Sequence, residues 1–410
     1  MSLKKIEDKV FSRKRLTPDD ALILFHSDDI FTLGRLANIV AEKKNGKNAY
    51  FIQNHHINPT NICVNRCKFC AFSRSKGEKG AYELSIKDII KKLGTEGSGV
   101  RGQGSEVNLK FKIKNSKLNS SLITRHSSLP FREVHIVGGL HPDWPFDFYL
   151  EMLRQIKKSF PHIHIKAFTA VEIDYFSKTS GLSLTDTLKA LKSAGLDSIP
   201  GGGAEIFDAK VRSKICPEKI SGKRWLEVME KAHSIGIKSN ATMLYGHHET
   251  YKHRVEHMLK LRDLQDGTGG FQAFIPLSFH PTNTELGSRG QGTGVSKRKK
   301  TNSPSAIVNG CRYTSGIDDL KTIAISRLFL DNFPHIKAYW IMLGEKIAQL
   351  SLMFGADDLD GTVIDEKITH SAGALSEKAM SKAELINLIK KAGKVPVERD
   401  SFYKPIRQKS

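Results

Sequence analysis

Seven short apolar segments alternate with amphipathic segments along most of the chain, and this alternation constrains the fold more than any other feature. Each apolar segment has the length of a β-strand, and each intervening segment repeats apolar residues at the period of a helix. The alternation predicts an α/β protein with a parallel sheet covered by helices, and this number of strands favours a TIM-type (β/α) barrel. The candidate strands are 50–57, 132–139, 164–170, 196–202, 237–244, 271–277 and 336–342, with a possible eighth at 359–364.

The chain divides into three predicted parts. Residues 1–46 form an N-terminal helical extension, because the segment TPDD at 17–20 combines a cap, a proline in the first turn and early acids. Residues 47–380 form the barrel, and residues 381–410 add a C-terminal helix and a tail. Helices of the barrel are predicted at 146–160, 184–195, 222–236 and 318–333.

Three cysteines, Cys63, Cys67 and Cys70, follow the first candidate strand with the spacing C-x3-C-x2-C. Thiolates this close in a loop can hold an iron–sulfur cluster. Three cysteines leave one iron of a four-iron cluster free to bind a substrate. A structural zinc site is the alternative, but it needs four ligands around one ion. The other two cysteines, Cys216 and Cys311, are far away in the sequence, which favours the cluster.

Composition narrows the class of protein further. Five cysteines in 410 residues, three of them clustered, are typical of a reducing cytoplasm with a metal site and not of a disulfide scaffold. No stretch of about 18 apolar residues occurs, so no membrane span is expected. The N-terminal residues lack the apolar stretch of a secretory signal.

The cysteine motif after the first strand resembles that of the radical S-adenosylmethionine (SAM) superfamily. This resemblance implies a [4Fe–4S] cluster held by Cys63, Cys67 and Cys70, with SAM bound to the free iron through its methionine moiety. One electron from a reductant such as flavodoxin or ferredoxin would cleave SAM to methionine and a 5′-deoxyadenosyl radical. An iron–sulfur electron carrier or redox sensor without a substrate is the alternative of a different class, but a carrier needs no large cavity.

Further positions fit the same superfamily. Phe69 matches the aromatic position that packs near the adenine. Gly138 and Gly139 match the glycine motif that ends the second strand and contacts the methionine amino group. The acidic residue that usually follows these glycines is replaced by Leu140-His141, so that individual contact is not carried over.

Longer segments resemble the aminodeoxyfutalosine synthase family, and together they cover most of residues 50–403. The resemblance implies that SAM is consumed as a co-substrate with the small molecule 3-[(1-carboxyvinyl)oxy]benzoate. Cyclic dehypoxanthinyl futalosine synthases and deazaflavin-cofactor synthases are related, but KAFTAVEI favours the first family. The segments are NHHINPTNICVNRCKFCAFSR, EVHIVGGLHPDWPFDFYLEML, KAFTAVEIDYF, IPGGGAEIFD, KSNATMLYGHHET and GEKIAQLSLMFGADDLDGTV.

Residues after the predicted strands should meet at the catalytic rim of such a barrel. A substrate with two carboxylates calls for guanidinium or imidazole groups, although each histidine could equally be a packed residue. The candidates for this role are His141, Arg212, His247, His280 and Arg289.

A second set of residues is expected at the cofactor. Glu172 and Glu205 could hold ribose hydroxyls or the methionine ammonium, and Glu205 could equally be an acid at a helix N-terminus. Gly202 lies in a run of three glycines that would let the backbone approach the adenosyl group. Either Ser239 or Thr242 could present a hydroxyl to the barrel, because residues three apart on a strand face opposite sides.

Segments 98–130 and 294–313 look inserted relative to the family pattern. The first carries six basic residues and one acidic residue, and the second carries five basic residues and none acidic, so about half of the net charge of +21 lies in them. Because both are rich in Ser, Asn and Gly, they predict solvated loops and no nucleic-acid partner. The first is expected on the face away from the chemistry, and the second on the catalytic rim.

Overall fold

The structure is a computed structural model, and it describes residues 3–95, 131–288 and 314–406. Both predicted insertions and Arg289 lie outside the described residues. The helices are α1 (Leu3–Phe11), α2 (Pro18–His26), α3 (Ile30–Asn45), α4 (Ile86–Thr95), α5 (Phe146–Ser159), α6 (Ala170–Ser180), α7 (Leu184–Ala194), α8 (Ala209–Ile215), α9 (Gly222–Ser234), α10 (Tyr251–Thr268), α11 (Glu285–Ser288), α12 (Gly316–Phe329), α13 (Trp340–Leu343), α14 (Glu345–Ser351), α15 (Ile368–Ser371) and α16 (Lys382–Lys391). The strands are β1 (Asn48–Ile52), β2 (Asn54–Ile57), β3 (Glu133–Ile136), β4 (His164–Ala167), β5 (Ser198–Ile199), β6 (Lys238–Tyr245), β7 (Phe271–Ser278), β8 (His335–Ile336), β9 (Asp358–Gly361) and β10 (Val395–Glu398).

Seven of the described strands form one parallel sheet in the order β2-β3-β4-β5-β6-β7-β8. Because each strand except β2 follows a helix that returns the chain to the same edge, the strands run in one direction. Side chains alternate between the two faces: on β3, Val134 and Ile136 are buried in the hydrophobic core, whereas Glu133 and His135 line the barrel interior. The predicted (β/α) barrel is therefore confirmed.

The first and last predicted strands are corrected by the structure. The segment 50–57 is split at Gln53 into β1 and β2, which belong to different sheets. The segment 336–342 is largely not a strand, because β8 ends at Ile336 and Trp340 begins helix α13. The tail contains β10, a strand that the sequence did not predict.

A second sheet, ordered β10-β1-β9, lies beside the barrel. The predicted eighth strand corresponds to β9, which pairs in parallel with β1. The same part of the chain also makes a single bridge to each edge of the main sheet, from Asp358 to Lys337 and from Ile364 to His55. Residues 358–364 thus close the curl between β8 and β2 without a full eighth strand.

The N-terminal extension is helical, as its start signal predicts. Thr17 caps α2 by accepting a hydrogen bond from Asp20 N (3.2 Å), and the Asp20 carboxylate accepts one from Thr17 N (2.8 Å). The longer helix α3 then packs on α12 of the barrel. Among the described residues, no helix is long and apolar enough to cross a membrane.

We expect Thr17→Ala to lower the free energy of unfolding by about 1 kcal/mol, because it removes the oxygen that caps α2. Urea denaturation followed by far-UV circular dichroism measures the change. Thr17→Ser is the matched control, since serine keeps the capping oxygen. Equal stabilities of the two variants would contradict the capping role.

Candidate active site

A cavity of about 340 Å³ opens at the carboxyl ends of the barrel strands. Cys63, Cys67 and Cys70 line it, and they lie in the loop that follows β2. The opposite wall is formed by residues of β6 and β7, among them Thr242 and Ile275. The three cysteines predicted to act together therefore do face one space in the folded chain.

Backbone hydrogen bonds fix the cysteine loop. Cys63 N donates to Arg74 O (3.1 Å), and Val64 N donates to Leu140 O (3.0 Å) in the loop after β3. Cys70 N donates to Cys67 O (2.9 Å), which forms a tight turn between these two cysteines. The loop is thus tied by backbone hydrogen bonds to the neighbouring strand end.

The chemistry of the three thiols fits a cluster better than a single metal ion. All three are free thiols, and burial raises the pKa of Cys67 to about 12, so a metal must provide the charge that stabilises its thiolate. Within the described ranges, no three metal-binding side chains are gathered around one point as a mononuclear site requires. Each cysteine of an iron–sulfur cluster binds a different iron, so the sulfurs need not converge.

Glycines form the wall beside the cysteine loop. Gly139 N donates to Thr60 O (2.9 Å), and a Cβ atom at Gly139 would lie 2.1 Å from Ile62 O. A Cβ atom at Gly138 would lie 3.0 Å from Thr60 O. Both predicted glycines line the cavity, and the close approach of two backbones explains why side chains are excluded there.

Two of the remaining predicted cofactor residues also line the cavity. Phe69 lies in the cysteine loop, and Lys219 Nζ is 4.9 Å from the centre of its ring. Gly202 follows β5, and its carbonyl accepts a hydrogen bond from Trp225 Nε1 (3.0 Å). A Cβ atom at Gly202 would lie 2.9 Å from Thr169 Cγ2, so the absence of a side chain at Gly202 lets its backbone lie close to Thr169.

Glu172 lines the cavity and is buried. Its carboxylate accepts hydrogen bonds from Thr169 N (2.6 Å) and Gly138 N (3.2 Å), which links the start of α6 to the glycine wall. Burial raises the pKa of Glu172 to about 7 despite these hydrogen bonds. The residue can therefore carry or release a proton near neutral pH.

We expect Glu172→Gln to change the pH dependence of stability in the protein without bound SAM. Because the folded-state pKa lies above the ordinary value of 4.5, the wild type loses stability as pH rises from about 4.5 to 7. The glutamine variant lacks this titration, so relative to wild type it should gain on the order of 2 kcal/mol across that interval. Urea unfolding at a series of pH values measures the difference.

Glu384→Gln is the matched control for this pH series. Glu384 has the same capping-box hydrogen bonds, to Ser381, but it is exposed, and these bonds lower its pKa. Glu384→Gln should therefore gain no free energy of unfolding relative to wild type as pH rises. A gain with Glu384→Gln equal to that with Glu172→Gln would show that burial is not the cause.

Glu205 and Ser239 are not among the residues that line the cavity. Glu205 is buried and forms an ion pair with Lys219 (2.6 Å), which itself lines the cavity. Glu205 is not an acid at a helix N-terminus either, because α8 begins at Ala209 with Asp208 as its cap. Glu205 is therefore connected to the cavity through its ion pair with Lys219.

Ser239 lies on the outer face of β6, where its Oγ is 2.9 Å from His233 Nε2 of helix α9. The neighbouring residues Asn240 and Thr242 face the cavity instead. Of the two hydroxyl residues considered on this strand, Thr242 is therefore the one that faces the cavity, and a role for either at the cofactor stays a prediction. Both faces of β6 are buried, so its residues show no contrast in polarity between inside and outside.

Of the candidates for binding substrate carboxylates, only His280 lines the cavity among the described residues. Its Nε2 donates a hydrogen bond to Met342 O (2.8 Å). His141 lies outside the cavity, with Nε2 2.5 Å from Glu83 Oε1 and its ring stacked on Trp144. His141 is therefore held by its stacking on Trp144 and its hydrogen bond to Glu83, and its role at the substrate stays a prediction.

Arg212 and His247 are likewise engaged with the protein backbone, and their roles at the substrate stay predictions. The Arg212 guanidinium donates to the carbonyl oxygens of Ala204 (2.6 Å), Ile206 (3.2 Å) and Ile220 (2.5 Å), so it organises the loop around α8. His247 donates from Nε2 to Leu244 O (2.9 Å) and accepts at Nδ1 from His248 N (2.7 Å). Neither side chain lines the cavity.

Sequence reasoning missed a group of charged and imidazole side chains inside the barrel. All of them line the cavity, although they belong to segments that were interpreted as apolar strands. The signal that could have revealed them is period-two alternation, since Glu133 and His135 are spaced like interior residues of β3. The group comprises His56, Glu133, His135, Lys166, Lys337 and Asp360.

Comparison with known proteins identifies the family. The sequence matches the radical SAM superfamily over residues 122–261 and the CofH/MqnC C-terminal region over residues 268–409. It is 41% identical over 402 residues to the aminodeoxyfutalosine synthase of Thermus thermophilus, an alignment that covers 98% of this chain and 95% of that protein. The chain belongs to the radical SAM superfamily.

Other relatives place this radical SAM protein among several activities. It is 38% identical over 392 residues to a 5-amino-6-(D-ribitylamino)uracil–L-tyrosine 4-hydroxyphenyl transferase of Methanococcoides burtonii, covering 95% of this chain and 96% of that one. Its fold is similar to the crystal structure of methylornithine synthase, with a TM-score of 0.66, 16% identity and coverage of 95% and 97%. The structural likeness concerns the fold alone.

As a radical SAM enzyme, the protein uses a [4Fe–4S] cluster and SAM. The residues on the cavity wall fit both groups: Cys63, Cys67 and Cys70 would hold the cluster, and the glycines at 138 and 139 leave room for a cofactor against the backbone. The cluster, when bound, supplies the electron for reductive cleavage of SAM. The chain's own part is to bury and orient these groups in one cavity.

Proposed function

We propose that this enzyme is an aminodeoxyfutalosine synthase acting in menaquinone biosynthesis. The 5′-deoxyadenosyl radical from SAM would add to the enolpyruvyl double bond of 3-[(1-carboxyvinyl)oxy]benzoate. Rearrangement and loss of a carboxyl group as bicarbonate would give 6-amino-6-deoxyfutalosine, with methionine as the second product. The observation that carries the proposal is 41% identity over nearly the whole chain to a protein of that activity, on a barrel whose cysteines line the cavity.

The cavity suits a substrate of this kind. Its volume of about 340 Å³ is in the range of small-molecule sites. Apolar side chains such as Leu244, Ile275 and Leu277 line the wall and could pack against an aromatic ring. Ammonium groups of Lys166 and Lys337 line the interior and could pair with carboxylates.

The second candidate is a related synthase that also joins an adenosyl or tyrosyl fragment to an acceptor. The 38% identity to the 4-hydroxyphenyl transferase supports this second candidate, because it is close to the 41% identity to the aminodeoxyfutalosine synthase. The cyclic dehypoxanthinyl futalosine synthases are a further possibility through the shared C-terminal region.

Product analysis on one preparation of enzyme separates these candidates. The protein is reconstituted anaerobically with iron and sulfide, reduced with dithionite, and given SAM with each acceptor in turn. We expect an adenosyl-containing adduct only with the benzoate ether, detected by mass spectrometry. Formation of 5′-deoxyadenosine and an adduct with another acceptor would transfer the assignment to that relative, and the absence of SAM cleavage would contradict radical chemistry altogether.

We further propose that a small acidic one-electron carrier, such as a flavodoxin or ferredoxin, reduces the cluster. The outer side of the cysteine loop exposes Val64 and Arg66, and Lys214 is exposed on the adjoining helix α8. Electrostatic complementarity would make the reduction faster at low salt. Charge reversal by Lys214→Glu should slow reduction by such a carrier but leave reduction by dithionite unchanged, as followed by cluster absorbance.

A further inference from the structure

Two ion pairs lie inside the barrel, on the cavity wall formed by the strands. Lys166 Nζ is 2.7 Å from Glu133 Oε2, and Lys337 donates a hydrogen bond to Asp360. All four side chains are at most 9% exposed. Burial of charges at this depth is costly, and apolar residues of similar volume would serve packing as well or better. The pairs therefore call for an explanation beyond the fold.

The two ammonium groups are close enough to repel each other. Burial, and after it the positive charges of Lys337 and Arg399, lower the pKa of Lys166, whereas Glu133 opposes this effect. An ammonium carries three N–H donors. Among the described residues, the ammonium of Lys166 donates only to Glu133, and that of Lys337 only to Asp360. Each ammonium therefore keeps N–H donors that can bind a ligand.

His56 adds a polar atom without a protein partner. Its Nε2 is buried and has no hydrogen bond to any described residue, although the side chain lines the cavity and is only 4% exposed. Its ring packs against that of His135, with 4.5 Å between the ring centres. An unsatisfied buried polar atom destabilises the fold, and a bound ligand would explain why it is retained.

The strand register brings these groups together. His56 on β2 pairs with His135 on β3, and His135 pairs with Lys166 on β4, so three neighbouring strands present them at one level. Lys337 immediately follows β8, which residues 358–364 join to β2. Imidazole and ammonium groups thus converge from both ends of the curled sheet.

We propose that Lys166, Lys337 and His56 bind a carboxylate of an aromatic acid substrate. Glu133 and Asp360 hold the two ammonium groups in place, and the carboxylate accepts charge-assisted hydrogen bonds from them. The assignment of this carboxylate to the benzoate ether rests on the proposed function. The site itself requires only an anionic aromatic ligand, and its residues line the same cavity as the cysteines.

The test compares 3-hydroxybenzoate with the uncharged 3-hydroxybenzamide as probes. Both are titrated calorimetrically into the reconstituted enzyme with SAM. We expect the wild type to bind the benzoate at least 10-fold more tightly. The double variant Lys337→Gln/Asp360→Asn neutralises one pair without leaving a buried charge alone, and it should lose that preference while its affinity for the amide stays the same.

His56→Asn is the second variant, in case the double variant does not fold. It should weaken benzoate binding about 10-fold, as expected for one lost hydrogen bond to a charged group. His55→Asn is the matched control: His55 is equally buried on the same strand, but it packs against Phe131 and does not line the cavity. It should leave the preference for the carboxylate intact.

Two results would overturn the carboxylate site: a wild type that does not prefer the benzoate, or variants that keep the preference. Neither result depends on turnover. If the site binds the benzoate as described but the wild type forms no adduct with the ether, the proposed function fails and the carboxylate site stands. If the adduct forms but the variants bind the benzoate as tightly as the wild type does, the carboxylate site fails and the proposed function stands.

Discussion

Cys67→Ala should abolish cluster assembly and SAM cleavage in the anaerobically reconstituted enzyme. Cys67 lines the cavity together with the other two cysteines, and burial raises the pKa of its thiol to about 12. Loss of a residue that merely supports a metal ligand typically costs about 10- to 100-fold in affinity or activity, so loss of a ligand should exceed about 100-fold. Iron content, visible absorbance and 5′-deoxyadenosine yield measure the effect.

Cys216→Ala is the control for this experiment. Cys216 is buried and close enough to raise the pKa of Cys67, but it does not line the cavity. The variant should keep its iron and its SAM cleavage. Loss of metal from Cys216→Ala as well would favour a four-cysteine site, and normal iron content in Cys67→Ala would contradict the assigned ligands.

The barrel could be predicted because its signals are local. Strands β3, β4, β6 and β7 begin within two residues of their predicted positions, since runs of apolar residues bounded by helices specify them. The split at Gln53 could not be predicted, because β1 finds its partners β9 and β10 more than 300 residues away. Strand β10 was not predicted for the same reason, because its pairing with β1, and not its own sequence pattern, makes it a strand.

In the candidate site too, residues in local motifs could be predicted, whereas residues whose contacts lie far away in the sequence could not. The three cysteines were predicted from their spacing, and Gly138 and Gly139 from the family resemblance, and all five line one cavity. His280 lines the cavity as expected, but His141, Arg212 and His247 do not, because their partners are backbone carbonyls and a carboxylate that no pattern reveals. The interior lysines were missed because each carboxylate partner is more than 20 residues away.

Gly139→Ala should disrupt the glycine wall beside the cysteine loop more than an alanine at any other glycine of the cavity. The new Cβ would lie 2.1 Å from Ile62 O and 2.7 Å from Ile62 C, backbone atoms that cannot rotate away. Ile62 directly precedes Cys63, so relief of the clash must move the cysteine loop or the end of β3. We expect a loss of about 1–3 kcal/mol in the free energy of unfolding, with reduced iron content after reconstitution.

Gly94→Ala is the control that separates this clash from the general effect of replacing a glycine. Gly94 lies in α4 and is exposed, and a methyl group added there would meet no heavy atom within 4 Å. Alanine there should raise stability by about 0.5–1 kcal/mol, because glycine is the poorer helix former. Urea unfolding should therefore give opposite signs for the two variants, and a Gly139→Ala protein with normal stability and iron would show that the wall tolerates a side chain.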